Sequence, residues 1–102
     1  MFQGYARTAV DLGTGDGRAV LRLAKNSADT LVIGVDTNAA AMQEASRRAP
    51  SNALYLVADA LEALAYFQGR IDELRITLPW GSQLRRVLEG EREFALAVAG
   101  TL

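Results

Sequence analysis

Hydrophobic and polar positions along this chain follow two periods, one typical of buried strands and the other typical of amphipathic helices. Apolar runs predict strands at Thr8–Leu12, Leu31–Val35, Ala53–Ala58 and Ile71–Leu78. Apolar residues at helical spacing predict helices over residues 17–26, 39–49, 59–66 and from residue 82 onwards. Strands and helices that alternate in this way indicate an α/β fold, with a parallel sheet and helices on both of its faces.

The connections between these elements restrict the order of the strands. Right-handed crossovers, with the usual switch point beside the first strand, predict a Rossmann-like sheet in the order 3-2-1-4. We expect one such domain over residues 1–102, with residues 1–4 interpreted as a remnant of an expression tag. The fourth strand then lies at an open edge, which favours a homodimer formed through that edge.

Size and composition exclude several classes of protein. With 102 residues, half of them hydrophobic, the chain is long enough for a single packed core and is not disordered. No apolar run approaches the roughly 20 residues that span a bilayer, and no signal peptide is recognisable, so we expect a cytoplasmic protein without a membrane partner. The absence of cysteine and histidine excludes disulfides, thiol nucleophiles and imidazole bases, and we expect no metal site.

A glycine-rich turn follows the first predicted strand and opens the first predicted helix, as in nucleotide-binding folds. Gly13, Gly15 and Gly17 follow the pattern G-x-G-x-G, whereas a dinucleotide site requires a glycine where Arg18 stands. The lysine of a phosphate-cradling loop is also missing. The turn therefore predicts a nucleotide-like ligand, but the fingerprint of a nicotinamide dinucleotide site is incomplete.

Carboxylates cluster where the predicted strands end. Asp11, Asp36 and Asp59 lie near the carboxyl ends of three strands, and Asp16 lies within the glycine turn. These ends meet in one crevice of a parallel sheet. A cluster of carboxylates repels a pyrophosphate and attracts a cation, which S-adenosylmethionine satisfies through its amino group and sulfonium. Each aspartate alone is more typical of a helix cap or a turn than of a cofactor site, but the three together with the glycine turn favour a cofactor site.

Position also suggests separate roles for two of these carboxylates. Asp36, about 20 residues beyond the turn, is placed to accept hydrogen bonds from both ribose hydroxyls. Asp59 is placed to border the adenine, together with Ala60 and Leu61.

A second segment, Leu78-Pro79-Trp80-Gly81-Ser82, leaves the fourth strand on the far side of the switch point. A tryptophan there is placed to stack on a purine, which contributes about 1 to 3 kcal/mol per base. Packing of the same indole against the last helix explains the segment equally well. The local sequence leaves both interpretations open.

With these motifs assembled, the chain resembles class I S-adenosylmethionine-dependent methyltransferases, and within them the 16S ribosomal RNA adenine methyltransferases of aminoglycoside resistance. The resemblance runs from Thr8 to Leu88. It is most specific in the glycine turn with its flanking residues 11–18, in residues 33–36 followed by the helix to Arg48, and in the Leu78–Ser82 segment. Chains of that family are considerably longer, so the resemblance covers the N-terminal half of a complete methyltransferase fold.

The resemblance implies a cofactor, a substrate and site residues. The cofactor is S-adenosylmethionine, and the substrate is an adenine ring nitrogen of 16S rRNA in the small ribosomal subunit. Such a nitrogen carries its own lone pair, so the reaction depends on positioning more than on a base. Trp80 and Pro79 are the catalytic candidates, with Trp80 stacked on a flipped adenine. Together, pattern and resemblance assign the cofactor to Asp11, Gly13, Thr14, Gly15, Asp16, Gly17, Asp36, Thr37, Asp59, Ala60, Leu61 and Leu78.

Two other hypotheses remain beside a functional methyltransferase domain. The first is a truncated or engineered half-domain without catalysis, which folds and associates with itself through the open sheet edge. The second is a fragment of a nicotinamide enzyme, against which Arg18 and the aspartates of the glycine turn already count.

Overall fold

The computed structural model of the chain describes residues 4–76, and these form four strands and three helices in strict alternation. The strands are β1 (Arg7–Leu12), β2 (Thr30–Asp36), β3 (Ala53–Val57) and β4 (Glu73–Ile76). The helices are α1 (Arg18–Asn26), α2 (Ala39–Arg47) and α3 (Ala60–Tyr66).

All pairings within the sheet are parallel, and the strand order is β3-β2-β1-β4. This confirms the predicted order 3-2-1-4. The order places β2 and β3 on one side of β1 and β4 on the other, so the turn after β1 lies at the switch point. Ligands of open α/β sheets bind in the crevice at this position.

Each face of the sheet packs against different helices, as the pattern predicts. On one face, Val20 and Ala24 of α1 pack against Val32 and Ala53. On the other face, Leu64 and Phe67 of the α3 region join a larger cluster with the apolar residues of β1 and β2. β2 is buried along its whole length, as expected of a central strand covered on both faces.

Two of the three helices, α2 and α3, begin at a residue whose side chain caps the helix. The Asn38 side chain accepts a hydrogen bond from Ala41 N and caps α2. Asp59 and Glu62 form a reciprocal capping box at the start of α3, within the range 59–66 where a helix was predicted. α2 ends at Arg47, two residues before the predicted end, because the residue preceding Pro50 is disfavoured in helical conformation.

The predicted start of the fourth strand is wrong by two residues. Ile71 is buried in the core but precedes the strand, which begins at Glu73. Asp72 forms a bend between them, since its N–H donates to Thr8 O and its carboxylate accepts from Thr8 N, both at 2.8 Å. These two contacts fix the entry of β4 beside β1.

At the amino ends of the strands, one buried side chain joins three segments of backbone. Asn52 is 6% exposed, and its Nδ2 donates to Ala24 O, Ser27 O and Thr30 O at 2.8, 3.1 and 2.9 Å. The end of α1 and the start of β2 are thereby fixed to the start of β3.

Some predictions fall outside the described residues. These are the residues after Ile76 in the predicted fourth strand, the last helix, residues 1–3, and the segment with Leu78, Pro79 and Trp80. Within residues 4–76, no helix has the length and apolar character required to cross a membrane.

Candidate cofactor site

The glycine turn connects β1 to α1 and is held against the end of β2. Gly13 N and Thr14 N both donate to Val35 O, at 2.8 and 3.0 Å. Gly15 has a φ of 62°, a left-handed conformation that glycine adopts without the steric cost of a side chain. A Cβ built on Gly15 meets no atom of residues 4–76 within 4 Å, so this part of the chain leaves the surface of the turn open at this position.

Asp36 ends β2 and lies directly beside this turn. Its Oδ2 accepts a hydrogen bond from Gly15 N at 2.9 Å, and its Oδ1 accepts one from Asn38 N at 2.9 Å. The residue is 6% exposed. A carboxylate accepts about four hydrogen bonds. Asp36 therefore orders the turn while retaining capacity for further donors, and the structure brings together these two sequence-predicted features.

Asp11 lies in β1, just before the glycine turn in sequence, and its side chain is buried. Thr14 Oγ1 donates to its Oδ2 at 3.0 Å, and both residues are buried. The register partner of Asp11 on β4 is Arg75, whose Nε lies 2.6 Å from Glu73 Oε2. Thr14 thus orients a buried negative charge beneath the glycine turn.

Asp16 differs from the other carboxylates because it is exposed and paired. Its Oδ1 accepts from Arg18 N at 3.0 Å, and its Oδ2 lies 3.4 Å from Arg18 Nε. Both side chains are largely exposed, at 61% and 78%, so water screens this pair strongly. Asp16 contributes a weaker field to the crevice than the buried Asp11 and Asp36.

The remaining predicted cofactor residues follow β2 and β3. Thr37 is exposed between β2 and α2, and Ala60 and Leu61 are half-buried in the first turn of α3. Ala58 N donates to Asp36 O at 3.1 Å, which anchors the connection from β3 to α3 at the crevice. Asp59 Oδ1 accepts from Glu62 N at 2.8 Å, so this carboxylate has a capping role in addition to its predicted place near the adenine.

Sequence reasoning missed Tyr55 of β3, which packs beneath the glycine turn. Its hydroxyl donates to Gly17 O at 2.8 Å. A Cβ on Gly17 would lie 2.5 Å from Tyr55 Cε1, and one on Gly34 would lie 3.0 Å from Tyr55 Cδ1. The two glycines therefore leave the space that the aromatic ring fills. The signal in the sequence is a glycine within a buried strand, which often marks the close approach of another group.

The surroundings of Tyr55 favour its neutral form. Burial, followed by the negative charges of Asp16 and Asp11, raises the pKa of the Tyr55 phenol above its ordinary value of 10.0. The hydroxyl consequently remains a hydrogen-bond donor to Gly17 O at neutral pH and well above it.

Residues 4–76 contain no group of three or more acidic side chains arranged to hold a metal ion. The groups described at the crevice are carboxylates, backbone N–H groups and open glycine backbone. Carboxylates accept hydrogen bonds and attract cations, so these groups fit a nucleoside with hydroxyl and ammonium groups better than they fit a polyphosphate.

Comparison with known proteins decides the family. The family model for NpmA, described as 16S rRNA (adenine(1408)-N(1))-methyltransferase, matches residues 1–101. The chain belongs to this methyltransferase family. The match confirms the resemblance that the glycine turn, Asp36 and the Leu78–Ser82 segment indicated.

Individual relatives of this methyltransferase chain agree with the family model. The chain is 34% identical to 16S rRNA (adenine(1408)-N(1))-methyltransferase from Streptoalloteichus tenebrarius, over 93% of this chain and 47% of the relative. It is 33% identical to the protein of the same name from Escherichia coli, with the same coverage. The chain spans about half the length of the curated relatives that it matches.

Solved structures show the same fold. The aminoglycoside resistance methyltransferase NpmB1 superposes with a TM-score of 0.82 and 39% identity, over 98% of this chain and 52% of that one. A mutant 16S rRNA (adenine(1408)-N(1))-methyltransferase from Catenulisporales acidiphilia, solved with cosubstrate SAM, gives a TM-score of 0.82 and 30% identity, over 95% of this chain and 47% of that one. This methyltransferase chain therefore has the fold of half of each of these proteins.

Proposed function

We propose that this chain is the S-adenosylmethionine-binding part of a methyltransferase that modifies N1 of adenine 1408 in 16S rRNA, as the description of its family states. The observation that carries the proposal is the contact between the buried carboxylate of Asp36 and the N–H of Gly15. It joins the acidic end of β2 to the glycine turn at the switch point of the sheet.

The geometry of the crevice fits the nucleoside part of this cofactor. Asp36 accepts two hydrogen bonds from the described residues, which leaves room for both hydroxyls of a ribose. The space above Gly15 is open, so a ligand can approach the backbone there without meeting a Cβ. Ala60 and Leu61 border the adenine in this proposal, with Asp59 and Thr37 at the rim.

The charge of the crevice fits the amino-acid part of the cofactor. Asp11 is a buried carboxylate beneath the turn, and Asp16 adds a screened charge at its surface. When bound, S-adenosylmethionine supplies a methyl group that is already activated by a positive sulfur. The carboxylates attract the positive groups of such a ligand and hold them beside the glycine turn.

Methyl transfer to an adenine ring nitrogen requires little further chemistry from the protein. The nitrogen has its own lone pair, so the task of the chain is to position the two reactants. We assign this task to Trp80 and Pro79, with Leu78 on the cofactor side, by their place in the family motif. In this proposal, the methyltransferase acts on small ribosomal subunits in the cytoplasm. The methylation of 16S rRNA would then confer resistance to aminoglycosides.

Calorimetric titration of the chain with S-adenosylmethionine and S-adenosylhomocysteine tests the cofactor site. Asp36→Asn replaces one acceptor oxygen by a donor that faces backbone N–H groups. We expect it to weaken both ligands about 10-fold or more, since hydrogen bonds to charged groups contribute about 1.5 to 3 kcal/mol.

Asp29→Asn is the matched control. This aspartate is exposed and precedes β2 at the opposite end of the sheet, so the same change should leave both affinities unaltered. Equal affinities for wild type and Asp36→Asn, or no binding by the wild type, would contradict the proposal.

A second candidate function rests on the edge of the sheet. Among residues 4–76, no strand pairs with the outer side of β4, and the chain spans half of its relatives. A half-domain without catalysis that forms a homodimer through this edge is the alternative. Sedimentation analysis would show a dimer in that case, and transfer of labelled methyl groups to small ribosomal subunits would stay at background. A monomer that transfers methyl groups excludes this alternative.

A further inference from the structure

We propose that Tyr55 is a positioning residue that holds the glycine turn in the shape in which it binds the amino-acid part of the cofactor. The proposal rests on the cofactor site described above and adds a role for a side chain outside the glycine and aspartate motifs. It follows from the contacts of one aromatic ring and its hydroxyl with the turn.

The ring of Tyr55 supports the turn from below. It is the register neighbour of Gly34 on β2, and both Gly34 and Gly17 approach it so closely that a Cβ on either would overlap with the ring or touch it tightly. Thr14 Cγ2 also lies within 3.1 Å of the place of a Cβ on Gly34. Thr14 and Gly17, in the first and last parts of the turn, therefore pack together with Gly34 and the Tyr55 ring. In such a closely packed group, a small displacement of the ring also displaces the turn.

The hydroxyl of Tyr55 fixes the last residue of the turn. Gly17 O accepts from Tyr55 at 2.8 Å and also from Leu21 N at 3.2 Å, in the first turn of α1. Gly17 N in turn donates to Thr14 O at 3.1 Å. Since Gly17 adopts a left-handed φ of 79° and has no side chain of its own to hold it, an external hydrogen bond restricts its motion.

The position of these contacts separates two halves of the ligand. Tyr55 touches the turn at Gly17 and packs against Gly34, which Thr14 also approaches, and Thr14 orients Asp11, the carboxylate assigned to the amino-acid part. Asp36, assigned to the ribose, is held by different contacts, with Gly15 N and Asn38 N. Loss of the Tyr55 hydroxyl should therefore weaken binding of the amino-acid part and leave binding of the nucleoside part unchanged.

Tyr55→Phe tests this role, because it removes only the hydroxyl and keeps the ring that packs against the glycines. The probes are S-adenosylhomocysteine and 5′-methylthioadenosine, two neutral thioethers of which only the first has the amino-acid part. We expect Tyr55→Phe to weaken S-adenosylhomocysteine about two- to tenfold, the equivalent of one lost hydrogen bond, and to leave 5′-methylthioadenosine unchanged.

Tyr5→Phe is the matched control at the opposite end of the sheet. The Tyr5 hydroxyl donates to Ser51 O at 3.1 Å, so the substitution removes the same kind of hydrogen bond far from the turn. Both ligands should bind Tyr5→Phe as they bind the wild type. Equal weakening of the two ligands by Tyr55→Phe, weakening of neither, or a similar loss in Tyr5→Phe would overturn the proposal for Tyr55.

These outcomes are distinguishable from failure of the cofactor site itself, in which the wild type would bind neither nucleoside. Amide hydrogen exchange without any ligand provides an independent measurement. The Gly17 N–H should exchange faster in Tyr55→Phe than in the wild type and in Tyr5→Phe, whereas the amide of Asn38 should not change. Unchanged exchange at Gly17 would show that the hydroxyl does not restrain the turn and would also overturn the proposal.

Discussion

Asn52 and Asp36 are both buried polar residues that hold backbone segments, but they lie at opposite ends of the sheet and differ in how far they are satisfied. Asn52 has two N–H donors on its side chain and contacts three carbonyl oxygens with them. Asp36 accepts two hydrogen bonds from the described residues, about half of what a carboxylate accepts. Their burial is the same, at 6% exposure.

The difference shows how burial alone fails to separate a structural residue from a binding residue. The donors of Asn52 are fully used within the protein, so its hydrogen bonds contribute to the stability of the fold. Asp36 carries a charge and remaining acceptor capacity beside an open glycine, which a ligand can use. Counting donors and acceptors against partners therefore predicts opposite phenotypes for two residues of equal exposure.

Substitution of Asn52 should have the largest effect on stability. Asn52→Ala removes this donor from three carbonyl oxygens, two of them in buried hydrogen bonds, and we expect the free energy of unfolding to fall by about 3 to 4 kcal/mol. The affinity of the folded chain for S-adenosylmethionine should not change. Urea unfolding followed by calorimetric titration below the transition measures both quantities.

Asp36→Asn provides the opposite phenotype in the same two experiments. It should lose cofactor affinity with a smaller loss of stability than Asn52→Ala. The comparison fails if Asn52→Ala weakens the cofactor as strongly as Asp36→Asn does, because the two ends of the sheet would then not be separate in function.

The glycines of the turn extend the comparison to a second pair. Gly17→Ala combines a left-handed φ with a Cβ 2.5 Å from Tyr55, so we expect a loss of about 2 to 3 kcal/mol in stability. Gly15→Ala has the left-handed φ but open space around the Cβ, so we expect only about 1 kcal/mol. The new methyl group on Gly15 would instead occupy the ligand's side of the turn and should abolish cofactor binding.

Thermal unfolding and calorimetric titration of both alanine variants check this pair. Retained cofactor affinity in Gly15→Ala would show that the ligand does not approach the turn at that residue. Equal stability of the two variants would instead contradict the packing of Tyr55 against Gly17.

The pH dependence of stability should show the smallest effect. Because the pKa of the Tyr55 phenol is raised in the folded chain, the unfolded chain loses this proton first as the pH rises past 10.0. The unfolded state then binds fewer protons than the folded state, so the free energy of unfolding falls between the ordinary pKa and the raised one. Tyr55→Phe should remove this part of the decrease, as measured by urea unfolding below and above pH 10.0.

Titration of the phenol absorbance provides the check on this prediction. The wild type should contain one tyrosine that ionises at a higher pH than in the unfolded chain, and Tyr55→Phe should lack it. Ionisation of all tyrosines at the ordinary pKa would contradict the assignment.

Most of the fold was predictable because its signals are local. Alternation of strand and helix together with the handedness of crossovers predicted the order β3-β2-β1-β4, and apolar residues at helical spacing predicted a helix over residues 59–66, where α3 lies. The proximity of Asp36 to the glycine turn was also predictable, since a parallel sheet brings the ends of neighbouring strands together. The family followed from motifs whose residues are close in sequence.

The contacts that were not predicted join residues far apart in the chain. Tyr55 and Gly17 are separated by 38 positions, and Asn52 and its acceptors by 22 to 28. Such contacts depend on the register between strands, and an error of one residue would turn each side chain to the other face. The start of β4 was mistaken for a similar reason, because Asp72 bends the chain through contacts with Thr8, which is distant in sequence.

The carboxylate of Asp16 accepts from Arg18 N at the first turn of α1. That end of a helix carries a partial positive charge, and in dinucleotide-binding proteins it receives the pyrophosphate. In this chain, the carboxylate of Asp16 lies at that end of α1, so a phosphate placed there would lie beside a charge of the same sign. In the proposed site, this N–H group of α1 is therefore occupied by the chain's own carboxylate and is not offered to the phosphate of another class of cofactor.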